Sequence, residues 1–183
     1  MKGIDDTVPE TINSCGIRSS NDHTMTGLNA FMQLQDSFKG KYSLWTDPGQ
    51  EPHISETQLA ISSQLNNMLL QLEYSWEFEK KPQSGMLAFT YHPKKELVSA
   101  VWIDTWHMQN EFMHCKGLLT KNGVLMVNGK YGAGIGPDWG WKTLLEVEPE
   151  DHSSLHLTMY NITPAGEQHL VVQADYTKQK DLD

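Results

Sequence analysis

Asn67-Met68-Leu69-Leu70-Gln71-Leu72-Glu73-Tyr74-Ser75-Trp76-Glu77-Phe78 is the stretch that decides the fold. Met68, Leu70, Leu72, Tyr74, Trp76 and Phe78 alternate with Leu69, Gln71, Glu73, Ser75 and Glu77. Successive side chains of a strand point to opposite faces. One face here is large and apolar and the other mostly polar, the pattern of a half-buried antiparallel strand.

The same period of two recurs on both sides of this segment. Upstream, Lys39–Thr46 and Ile54–Ser62 read as strands. Downstream, Gly85–Tyr91, Leu97–Trp106, Glu111–Leu119, Val124–Tyr131, Trp139–Val147, Leu155–Ile162 and Gln168–Thr177 follow. Turn signals separate them: Lys80–Ser84 with Pro82, His92-Pro93-Lys94-Lys95, Lys121-Asn122-Gly123, Pro149–Ser153 and Thr163-Pro164-Ala165-Gly166. About ten strands joined by short hairpins, with no helix between them, must close on themselves to lose their edges. The expected fold is therefore all-β, an up-and-down antiparallel barrel. Before it, Leu28, Phe31, Met32 and Gln35 share one face at helical spacing after Thr26, so one short N-terminal helix is expected to close an end of the barrel. Residues 1–23 are polar and aperiodic and read as a flexible leader, leaving 24–183 as a single domain.

Composition narrows the function. The chain of 183 residues carries 14 basic against 23 acidic residues, a net charge of −9, which argues against nucleic acid as a partner. No apolar run approaches the ~20 residues that span a bilayer, so no membrane partner is expected. All the basic residues but Arg18 are lysines, so the folded body has no guanidinium fork for bidentate capture of carboxylate or phosphate. Cys15 and Cys115 read as free thiols of a cytoplasmic protein.

Four short motifs carry a family resemblance. Phe38–Trp45 resembles an opening "Gly-x-Trp" strand, and Gly85–His92 a "Gly…Tyr-Asp" strand. Val101–Trp106 resembles a "Trp-x-Asp-Ser" strand, and Ala174–Lys178 a closing "Tyr-Thr-Arg" with Lys178 in place of Arg. Together they resemble a family of mostly bacterial proteins known only as a domain of unknown function. The resemblance implies a calycin-type barrel, similar to lipocalins and fatty-acid-binding proteins, and no settled activity.

Candidate site residues follow from the alternation. Trp102, Asp104 and Trp106 share a face, and a turn at 107–110 would pair Trp106 with Glu111, Asp104 with Met113 and Trp102 with Cys115. Trp139 and Trp141 form a second same-face pair. The reading is a binding protein rather than an enzyme. A small, mostly apolar ligand would lie in the barrel interior among Trp102, Trp106, Trp139 and Trp141, with Asp104 orienting it. One alternative uses the same cavity for catalysis, with Asp104 and Glu111 as an acid–base pair. Against it, Asp104 would simply accept an internal hydrogen bond while Glu111 sits at the wet rim. His169-Leu170 also resembles the "His-Leu" of haem-binding nitrobindin barrels, whose histidine ligates iron. Alternation, however, sets His169 opposite Leu170, Val172, Ala174 and Tyr176, on the exterior. A further alternative is a filled barrel that acts through surface protein–protein contacts. The five glycines between Gly129 and Gly140 lack a following helix and read as a loop at the barrel mouth rather than a phosphate cradle. The spacing of the eight histidines carries no zinc signature, and no metal or cofactor is expected.

Overall fold

Alternating side chains build ten antiparallel strands: β1 (Ser37–Leu44), β2 (His53–Gln64), β3 (Leu69–Phe78), β4 (Lys81–His92), β5 (Leu97–Asp104), β6 (Met113–Leu119), β7 (Leu125–Tyr131), β8 (Trp139–Val147), β9 (Ser154–Ile162) and β10 (Gln168–Lys178). The computed structural model describes residues 31, 34–108, 110–120, 122–148 and 152–179. Each strand pairs with its sequence neighbour, and β1 closes the barrel on β10, from Phe38 opposite Lys178 to Leu44 opposite Val172. A single 3-10 turn, Pro93–Lys95, joins β4 to β5. The all-β, closed ten-strand architecture read from the sequence is the one observed.

The apolar faces point inward and form the core. On β3, Leu70, Leu72, Tyr74 and Trp76 are buried, as the alternation requires. Met68 is not: it falls in the β2–β3 turn and is exposed. The leader at 1–23, and Leu28 and Met32 of the expected helix, lie outside the described residues. Phe31 and Leu34 are described, and both are buried where β1 begins, with Phe31 edge-on to Phe89 of β4.

Four expectations need correction. The β3–β4 turn is not the long one drawn around Pro82. Phe78 pairs with Lys81 and Glu77 with Pro82, so only Glu79 and Lys80 turn the chain, both at positive φ (50° and 62°). Such a pair of left-handed residues matches the strand twist of a tight hairpin even without glycine. Second, β5 stops at Asp104 and β6 starts at Met113. Trp102 faces Met113 and Ala100 faces Cys115, a register two residues away from the expected one. Third, Glu111 lies outside the ladder and is exposed, so it makes no carboxylate pair with Asp104. Fourth, the β9–β10 register shifts between Leu170 and Val172. An extra residue in one strand reverses the facing of everything beyond it. His169 pairs with Asn161, which pairs with inward-facing Trp141, so His169 belongs to the inner face at the barrel rim and not to the exterior.

Candidate functional site

Asp104 ends β5 because its carboxylate caps the turn that follows. Its Oδ1 accepts the backbone N–H of Trp106 at 2.9 Å and of His107 at 3.2 Å, while Met108 N–H reaches its carbonyl at 3.1 Å. An aspartate in this position satisfies amides that a short turn leaves unpaired. This capping lifts Trp106 out of the ladder and swings the His107 ring back over the barrel end. His107 Nδ1 then lies 3.0 Å from the same Oδ1.

The other oxygen faces the core. Tyr74 Oη and Trp76 Nε1 each donate to Oδ2 over 3.1 Å, and Trp102 Nε1 donates to Tyr74 Oη over 2.8 Å. The sheet register explains how Tyr74 reaches Asp104. Both residues pair with Gly85, so they stand two strands apart, about 9.6 Å at the usual strand spacing. A tyrosine spans that gap only if the middle residue has no side chain. A Cβ on Gly85 would lie 2.3 Å from Tyr74 Oη and 2.8 Å from Asp104 Oδ2.

Asp104 is 1% exposed and receives five donors. Burial pushes its carboxyl pKa up, but His107 and the two capping amides outweigh it, and the net shift is downward. Burial, followed by the Asp104 charge, holds the Tyr74 hydroxyl well above its usual range, so Tyr74 remains a donor. An ionised carboxylate only accepts, so the bond to Asp104 places the proton of a neutral His107 on Nδ1 and leaves Nε2 as an acceptor. Nε2 has no hydrogen bond among the described residues, and the His107 side chain keeps 9% of its surface exposed.

Aromatic rings enclose this pair. Centroids of Trp106, Trp102, Trp141 and Trp76 lie 4.6, 5.4, 5.5 and 5.8 Å from that of His107. Trp102 stacks on Trp141 at 4.8 Å, and Tyr42 on Trp76 at 4.7 Å. Two buried polar atoms here, Tyr42 Oη and Trp141 Nε1, have no partner among the described residues.

Of the five residues picked from the sequence, Trp102, Asp104, Trp106 and Trp141 converge on His107. Trp102 and Trp141 are buried, and Trp106 is 40% exposed. Trp139 stands half-buried opposite Tyr131 at the rim. The indoles stack on one another, so no space separates Trp102 from Trp141. His107, Tyr74 and Trp76 are the site residues that the sequence reading missed. Tyr74 and Trp76 were visible as apolar-face residues of β3, and Asp104-x-x-His107 has the spacing of a capped turn.

Elsewhere the chemistry is quieter. Cys115 is a buried free thiol, its pKa pushed up to about 11 by burial. No cluster of three His, Cys, Asp or Glu that fits a metal occurs among the described residues. No helix among them is long and apolar enough to cross a membrane.

A family model with the description "Protein of unknown function (DUF1579)" matches residues 29–178. Seventeen chains of solved structures match as well. Among them is the crystal structure of Rv2717c from M. tuberculosis, 14% identical, with a TM-score of 0.54 over 84% of this chain and 98% of that one. At that identity the likeness shows the fold alone. No curated protein matches.

Proposed function

Because the chain belongs to the DUF1579 family, whose description assigns no activity, we propose a function from the Asp104–His107 site itself: binding of a small, flat, mostly apolar molecule beside Trp106 and His107. The observation that carries this reading is a buried, ionised carboxylate holding a histidine among four indoles, with that histidine and Trp106 reaching the surface. A structural core does not require this arrangement, since a buried carboxylate carries a desolvation cost that apolar packing avoids. Trp106 and Trp139 supply π faces, Trp102 and Trp141 the floor. In its neutral form, with Nδ1–H on Asp104, His107 supplies one acceptor at Nε2, and that form prefers a ligand with a single O–H or N–H on an otherwise apolar ring. The reading is a cytoplasmic binding protein rather than an enzyme.

The test uses the neutral probe N-phenyl-1-naphthylamine and energy transfer from tryptophan. One saturable site is expected. Trp106→Ala and Trp139→Ala should each weaken it about 2- to 10-fold, the range for one aromatic contact of ~0.5–1.5 kcal/mol. Both residues are partly exposed, so the variants should fold. Unchanged probe affinity in both folded variants would overturn the proposal.

A further inference from the structure

The outer surface of β4–β7 carries a groove of about 730 Å³ that the His107 site does not use. Its floor follows one cross-strand row, Ala88 beside Val101 beside His114. Leu87 and Phe89 point into the core, so Ala88 points outward, yet it is only 6% exposed. A residue this small between larger neighbours leaves a depression in the sheet face. Phe112 lines it too and is 54% exposed.

The groove also carries charge of one sign. Lys116 and Lys130 line it, beside His114, and no Asp or Glu does among the described residues. Neither lysine has an ion-pair partner among those residues. In a chain with 23 acidic against 14 basic residues, an apolar floor edged only by cations departs from the average surface. Lysine stems can lie along apolar surface while their ammonium groups hold an anion at the edge. We infer that this groove binds a small anionic amphiphile, its apolar body on Ala88, Val101 and Phe112 and its carboxylate between Lys116 and Lys130. The volume falls within the ~300–1,000 Å³ of small-molecule sites.

The test titrates the full chain with decanoate and follows backbone amide signals, with decanol as the uncharged control of equal length. Decanoate should shift residues 88, 101, 114 and 116 and bind at least ~10-fold more tightly than decanol, with affinity falling as salt is added. The exposed double change Lys116→Glu/Lys130→Glu should cut decanoate affinity at least ~10-fold and leave decanol and the melting temperature unchanged. Equal binding of the two amphiphiles, shifts confined to residues 106–108, or full affinity in the double variant would overturn the inference. The salt and decanol comparisons need no variant, so they decide the matter even if the double change disturbs folding.

Discussion

Asp104→Asn keeps the shape of the side chain and removes one acceptor. The amide oxygen is expected to stay with the turn, where three donors converge: the N–H groups of Trp106 and His107, and Nδ1 of His107. The new NH₂ then faces Tyr74 Oη–H and Trp76 Nε1–H, which are both donors. Each buried donor left without an acceptor costs about 1–3 kcal/mol. Relief from burying a charge offsets part of that sum. The expected net loss is about 2–4 kcal/mol at pH 7, read as a lower urea midpoint with an unchanged slope. The pH dependence carries a sign. The folded-state pKa of Asp104 is depressed, so its contribution is complete above the unfolded value of ~3.9 and fades as pH falls toward the folded value. The variant lacks this term. The gap between parent and variant should therefore hold at about pH 5 and narrow as pH falls below about 4, through the unfolded pKa toward the depressed folded one. An Asn variant as stable as the parent at pH 7, or a gap that does not narrow with acid, would refute this account of the carboxylate.

Three further outcomes follow from the same structure. Gly85→Ala should lose at least about 2 kcal/mol in urea unfolding, because its Cβ collides with Tyr74 and Asp104; Gly132→Ala, whose Cβ meets nothing within 4 Å, should be close to neutral. Phe31→Ala should cost about 3–5 kcal/mol as a cavity behind Phe89, while deletion of residues 1–23 should leave the melting temperature unchanged. In a Cys15→Ser background, Cys115 should resist a thiol reagent in the native protein and react once unfolded, since it is buried with its pKa raised to about 11.

The strands were legible because a half-buried sheet writes its facing into every second residue. Leu70, Leu72, Tyr74 and Trp76 declare β3 without help from any other segment. What failed was whatever depended on hydrogen bonds that have no period. The end of β5 is set by Asp104 capping its own turn, and alternation carries on past that point to Trp106 regardless. The bulge at 170–172 is likewise silent, because the apolar residues on either side of it look continuous. One extra residue there turns His169 from the exterior to the inner face.

The site was only half legible, for a related reason. Same-face tryptophans mark where aromatic mass collects, but they do not say whether the rings leave room for a ligand or stack on each other, as Trp102 and Trp141 do. Asp104 and Tyr74 lie 30 residues apart, and their meeting depends on both standing opposite Gly85. Read alone, Gly85 is simply a residue in a strand motif. Placed in register, it is the gap through which a tyrosine two strands away reaches the carboxylate. That carboxylate in turn orients His107. The pair that gives this barrel end its chemistry therefore rests on a residue with no side chain, whose role exists only when three strands are aligned.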